Sequence, residues 1–206
     1  MKFKTILVIA LVILTVFVIY LTTMDRNIYY LDLNMGNYNY EETIVNFLKD
    51  EKKLERYVTG YIEKDYRTTD LINDIKNNKS INIKNKKQTI KNALIKADLL
   101  IYVPSINDIN YKLNTTNQKE LYNYADEMLE DMEEAIKLMR QYCKEDIIVI
   151  GLENSNKKIF NYINEKLGEI CYENKIYFIN PLKLNKNGKK YVEKEIKKII
   201  ENKILS

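Results

Sequence analysis

The chain has 206 residues, 46% of them hydrophobic and 30% charged, which suits one domain plus an appendage and excludes a disordered, apolar-poor tail. The 33 basic and 29 acidic residues leave a net charge of +4 and are spread along the whole length, so the basic stripe of a nucleic-acid binder is absent. Histidine does not occur at all, which excludes Ser-His-Asp triads, Cys-His dyads and His-ligated metals, and 5 Gly, 2 Pro and 2 Cys exclude collagen-like, Pro-rich and disulfide-scaffold chains.

Lys2 and Lys4 precede an uncharged run from Ile6 to Thr23, ILVIALVILTVFVIYLTT. Such a run of about 18 apolar residues is just long enough to span a bilayer core as a helix. The flanking lysines place the N-terminus in the cytoplasm. A cleaved signal peptide would need a small-residue cleavage pattern, and Tyr20-Leu21-Thr22-Thr23 has none. Residues 1–26 therefore read as an N-terminal signal anchor with one transmembrane helix. Residues 27–206 read as a domain held at the cell membrane on its extracytoplasmic side.

Beyond the anchor, strands and helices alternate. Ile28–Leu33, Leu54–Ile62, Asp98–Pro104, Asp146–Leu152 and Ile176–Ile179 are short apolar runs suited to strands. Between them, helical spacing covers Glu41–Lys52, Thr68–Asn77, Gln88–Ala97, Gln118–Cys143 and Ser155–Asn174, with Lys189–Lys203 closing the chain. Thr68 or Thr69 is the expected N-cap of the second of these. Ser80–Lys87 is polar and reads as a loop or small hairpin. In the long helix, Leu121, Ala125, Met128, Met132, Ile136, Met139 and Cys143 form one apolar stripe. Cys143 and Cys171 read as buried thiols rather than a disulfide, because spacing alone cannot bring their Cα atoms together. The acidic residues Glu127, Glu130, Asp131, Glu133 and Glu134 read as a solvated outer face rather than a metal site.

Five apolar strands separated by helices imply a parallel sheet covered on both faces, a three-layer α/β/α sandwich. Ligands bind such sheets at the carboxyl ends of the strands. Attention falls on the loops after Leu33, Ile62, Pro104 and Ile179. No Gly-rich phosphate cradle of either common kind occurs, and neither a cofactor nor a metal is expected. Asp32-Leu33-Asn34, at the end of the first strand, carries a carboxylate and an amide of the kind common in turns.

Val103-Pro104-Ser105-Ile106-Asn107-Asp108 resembles the third conserved block of the SGNH/GDSL hydrolases, whose pattern is Gly-x-Asn-Asp. Tyr66–Ile75 resembles the helix after the family's second block. Ile90–Pro104 resembles the helix and strand leading to the third, and Leu184–Lys190 the tail of the fifth. The resemblance covers most of residues 28–203. It implies a flavodoxin-like five-stranded sandwich and an esterase or lipase type of ancestral activity. The sequence departs from the family at the reacting groups. Asn34 lies near the position of the nucleophilic Ser, Asp65 replaces the second-block Gly, and Ser105 replaces the third-block Gly. Asn180-Pro181-Leu182-Lys183 stands where Asp-x-x-His is expected. Of the four signature residues only the Asn survives, as Asn107.

Losing a nucleophile or base costs roughly a million-fold in rate. One surviving oxyanion donor supplies only about 3–4 kcal/mol. The resemblance therefore implies a catalytically inactive, hydrolase-like protein that binds an acyl or carbohydrate ligand of the envelope, or an envelope partner. Asn34, Asp65, Asn107 and Asp108 are the candidate ligand-binding residues. The amide of Asn107 either meets a ligand oxygen or ties its loop to the backbone. Two alternatives stand beside this: an active esterase built on Ser105 with Lys183 as base, and a purely structural envelope module. A pocket lined by Asn34, Asp65 and Asn107 favours binding, and a filled one favours the structural role.

Overall fold

Ile28–Asn34 (IYYLDLN) forms β1, buried along almost its whole length because it has a strand on either side and a core on each face. In this computed structural model, residues 12–15, 27–83, 86–110, 112–113, 117–153, 157–183 and 188–204 are described. After β1 come α1 (Glu41–Asp50), β2 (Leu54–Val58), α2 (Thr68–Lys76), β3 (Ser80–Ile83), β4 (Lys86–Thr89), α3 (Ile90–Lys96) and β5 (Leu99–Val103). A single turn, α4 (Asn107–Asn110), precedes the long α5 (Gln118–Tyr142). Then follow β6 (Asp146–Ile150), α6 (Lys157–Glu173), β7 (Tyr177–Ile179), a 3₁₀ turn (Pro181–Lys183) and α7 (Gly188–Ile199), which runs into a π-helical turn (Ile200–Ile204).

The five main strands lie in the order β2-β1-β5-β6-β7, and every pairing is parallel. Strand alternation sorts their side chains into two cores. Leu31, Leu33, Leu100, Tyr102, Ile147 and Val149 face α2, α3, α5 and α6. Ile28, Tyr30, Leu99, Ile101, Val103, Ile148 and Ile150 face α1 and α7. The result is the expected three-layer sandwich with a five-stranded parallel sheet. The expected stripe, along α5 to its C-cap Cys143, is buried at every position, and truncating one of its large members, such as Met132→Ala, would cost about 2–5 kcal/mol.

Several expectations need correction. The first turn of α2 is not capped by a threonine. The Asp70 carboxylate accepts from the Arg67 backbone N–H, while Thr68 sits inside the helix and is fully buried. The second strand stops at Val58, because Gly60 takes φ +92 and turns Tyr61 back into the core. Gln88 belongs to β4 of an antiparallel hairpin with β3, and Thr89 caps α3 by accepting from the Asn92 N–H. The carboxyl ends of the sheet also include a loop after β6 that the sequence reading passed over.

Of the expected anchor, only residues 12–15 are described, as one helical turn with Val12, Ile13 and Leu14 exposed; the rest of residues 6–23 lies outside the described residues. Among the described residues no helix is long and apolar enough to cross a membrane. Cys143 and Cys171 are both free and buried.

Candidate functional site

The loops at the carboxyl ends of the strands hold the candidate residues, and β1 sets their centre. The Met35 N–H donates to the Val103 carbonyl at 2.9 Å, carrying the β1–β5 ladder one residue past Asn34. The chain then turns back over β5. At Gly36 a Cβ would stand 2.5 Å from Val103 Cγ1, so only glycine lets this loop lie so close. The Asn34 side chain pins the turn at both ends. Its amide nitrogen donates to the Tyr38 carbonyl at 2.7 Å, and its oxygen accepts from the Gly36 N–H at 2.8 Å. Asn34 thus serves as a loop clamp.

The loop after β2 carries Asp65 at φ +61, the left-handed region that favours glycine. Asp65 is exposed. Beyond β5, Ser105 is fully buried. Its hydroxyl donates to the Tyr66 carbonyl at 2.6 Å and accepts from the Asn107 N–H at 3.1 Å. That hydroxyl proton is committed to a backbone carbonyl. The backbone of Lys183 ends the 3₁₀ turn after β7, and its side chain lies outside the described part of the chain.

Asp108 is 5% exposed and faces the N-terminus of α2. It accepts from Thr68 Oγ1 at 2.5 Å, from the Thr68 N–H at 3.2 Å and from Arg67 Nε at 3.3 Å. The N-terminus of a helix is a favourable place for a carboxylate, since its free amides and dipole point at it. Asp108 therefore fastens the β5 loop to α2. This also accounts for Thr68, whose hydroxyl is drawn away from capping.

Asp32 is the other buried aspartate of this rim, 6% exposed. Strand alternation puts it on the face of Tyr30, whose hydroxyl donates to Asp32 Oδ1 at 3.1 Å. Burial pushes its carboxyl up to about 7, against the pull of the Tyr30 hydrogen bond, and the nearby Glu41 charge adds to the rise. Asp32 lines an open depression of about 370 Å³ between the β1–α1 and β2–α2 loops, together with Asn34, Asn37, Glu41, Thr59 and Lys64. Of the four candidate ligand-binding residues, Asn34 alone borders this depression; Asp65, Asn107 and Asp108 do not.

A second, much smaller cavity of about 20 Å³ opens on the other side of the same loop, walled by Tyr38, Tyr40, Val103, Ile106 and Glu153. Glu153 lies in the loop after β6. Buried Asn164 of α6 holds that loop by donating to the Leu152 carbonyl and accepting from its N–H, each at 2.8 Å. The same amide donates to Asn180 Oδ1 at 3.3 Å, which ties the β6 and β7 loops together. Burial raises the Glu153 carboxyl above the ordinary range, and its Oε2 finds no partner among the described residues. Asn164 and Glu153 were missed in the sequence. The one available signal was an amide set among the apolar positions Phe160, Ile163 and Leu167.

The thiols are not nucleophiles. Burial pushes Cys143 up to about 11 and Cys171 up to about 12, and thiols protonated to that degree are unreactive near neutral pH. Among the described residues no group of His, Cys, Asp and Glu is arranged to hold a metal ion. In the acidic run of α5, Glu133 pairs with Lys137 at 2.6 Å and Glu134 pairs with Lys76, which are surface contacts.

Comparison with solved structures assigns the fold. The acetylxylan esterase Axe2 of Geobacillus stearothermophilus superposes with a TM-score of 0.54 at 14% identity, over 77% of this chain and 78% of that one. A variant of the same acetyl-xylooligosaccharide esterase reaches a TM-score of 0.56 at 14% identity and the same coverage. BT4096, a gut microbial diltiazem-metabolizing enzyme, gives a TM-score of 0.56 at 15% identity over 76% of this chain, which spans 37% of that protein's length. No protein-family profile and no curated protein sequence matches the chain. The chain has the SGNH/GDSL-like fold.

Proposed function

We propose that this protein is an SGNH/GDSL-hydrolase-like protein that binds an acylated or carbohydrate ligand of the cell envelope without cleaving it. The observation that carries the reading is Asn34. It stands near the nucleophile position and spends both ends of its amide on holding its own turn. Two further facts support it: histidine is absent, and the Ser105 proton is engaged with the Tyr66 carbonyl. An acyl-transfer site needs an activated nucleophile beside a base. The likeness to an acetyl-xylooligosaccharide esterase favours an acylated carbohydrate as the ligand class. Lys2, Lys4 and the apolar run of residues 6–23 support a single membrane anchor with the domain outside the cytoplasm.

The test is hydrolysis of short-chain nitrophenyl esters and thioesters by the purified full chain, beside its Ser105→Ala variant. The expected result is no turnover above buffer in either. Turnover in the parent that disappears in Ser105→Ala would overturn the reading and leave an esterase built on Ser105. Protease protection of membrane vesicles tests the placement: the domain is cleaved only by protease added to the extracytoplasmic face.

A further inference from the structure

We propose that the depression between the β1–α1 and β2–α2 loops is a saccharide subsite, in which the free carboxyl oxygen of Asp32 meets a hydroxyl of an uncharged sugar. This rests on the reading of the chain as a binder of acylated carbohydrate and specifies where the sugar part sits. The depression holds about 370 Å³, the size of an ordinary small-molecule site. Its walls are polar: Asn34, Asn37, Glu41 and Thr59 line it beside Asp32. An acyl chain would gain little there, since it would bury apolar surface against groups that prefer water.

The floor is built rather than incidental. Asp32 is more than nine-tenths buried, and the Tyr30 hydroxyl fixes its orientation through Oδ1. Among the described residues the Tyr30 hydroxyl, on Oδ1, is the one hydrogen-bond donor to Asp32, which leaves Oδ2 toward the depression that Asp32 lines. A buried carboxyl group with one free oxygen is a strong acceptor for a ligand hydroxyl, and when protonated it donates as well. Glu41 and Lys64 both line the depression, so its charge is mixed and does not call for an ionic ligand. Among the described residues no group of His, Cys, Asp and Glu is arranged to hold a metal ion there. Tyr38, 41% exposed at the rim, offers an aromatic face on which the C–H face of a pyranose can lie. An uncharged polyol satisfies all of these features together.

The experiment is saturation-transfer NMR and calorimetric titration of the full chain in detergent with xylotriose, maltotriose and N,N′,N″-triacetylchitotriose. At least one trisaccharide is expected to bind. Asp32→Asn should weaken it at least ten-fold, and Asn37→Ala, an exposed position, several-fold, while circular dichroism and melting show both variants folded. No binding of any of the three by the folded parent overturns the proposal, as does binding that both variants leave unchanged. The ester assay separates the two readings. Hydrolysis would sink the non-cleaving function and leave saccharide binding standing, whereas loss of saccharide binding alone sinks only the subsite.

Discussion

Asp32 and Asp108 stand at the carboxyl ends of neighbouring strands and are buried to the same extent, yet their surroundings differ completely. Asp108 receives Thr68 Oγ1, the Thr68 amide and Arg67 Nε, so its charge is satisfied by the N-terminus of α2 and a guanidinium. Asp32 receives one tyrosine hydroxyl, has Glu41 near it and opens onto a depression. Burial alone therefore says little about what an acid does. The first is a structural clamp; the second holds capacity in reserve for a ligand. A buried acid surrounded by donors stabilises the fold as an anion, and one that lacks them weighs against the fold when it ionises.

The largest expected effect comes from breaking the clamp. Asp108→Ala leaves the buried Thr68 hydroxyl and N–H without their acceptor, removes one of the partners of Arg67, and should cost about 3–5 kcal/mol. Urea denaturation of parent and variant reads this directly. A loss below about 1 kcal/mol would mean that water replaces the carboxylate and that the contrast with Asp32 is empty.

Asp32 should behave in the opposite sense. Its carboxyl lies at about 7 in the folded protein against an ordinary value of 3.8, so the folded state keeps a proton that the unfolded chain has released between these values. Stability contributed by this group is fully present below pH 3.8 and is lost as pH rises toward 7. Asp32→Asn cannot ionise and should lose that slope. At pH 8 the variant is expected to be more stable than the parent by a few kcal/mol, the order that such a shift implies. Equal stability of the two at pH 8 would place Asp32 in a well-satisfied environment like that of Asp108.

Ser105→Ala sharpens the same contrast on a neutral group. The hydroxyl bridges the Tyr66 carbonyl and the Asn107 N–H, so its removal should cost about 1–2 kcal/mol. Thermal melting checks this, and an unchanged melting temperature would free Ser105 from its structural assignment.

The sheet and helices were legible in the sequence because LLIYV and IIVI are unbroken apolar runs, and because the stripe from Leu121 to Cys143 keeps a helical period over its whole length. Local chemistry was less legible. Thr68 looks like an N-cap to any local rule, but its acceptor is Asp108, 40 residues further along the chain. Asp32 at a strand end looks like an ordinary turn aspartate; strand alternation puts Tyr30 on its face, but its burial and the approach of Glu41 depend on how α1 packs. Asn34 was placed at the rim as a candidate contact, and it does border the depression, but its amide is spent on Gly36 and Tyr38. The β6 loop went unnoticed because its support, Asn164, sits on a different helix.

Glu153 supplies the smallest and most delicate test, since it stands between the two aspartates in kind. Its carboxyl is raised by burial, as for Asp32, and its Oε2 finds no partner among the described residues, but it sits at the end of a long flexible side chain. A Cβ at Gly188 would stand 2.3 Å from Glu153 Oε1. Gly188→Ala therefore cannot coexist with the present side-chain position, yet the glutamate can swing toward solvent and there recover its hydration. The expected cost is within about 1 kcal/mol, because relief of desolvation offsets the displaced contact. The substitution should also return the Glu153 carboxyl toward its ordinary range, which carbon-detected NMR titration of the glutamates can follow. A cost of several kcal/mol, with the titration unmoved, would show that Glu153 is locked as firmly as Asp108 and that its free oxygen faces a partner beyond the described residues.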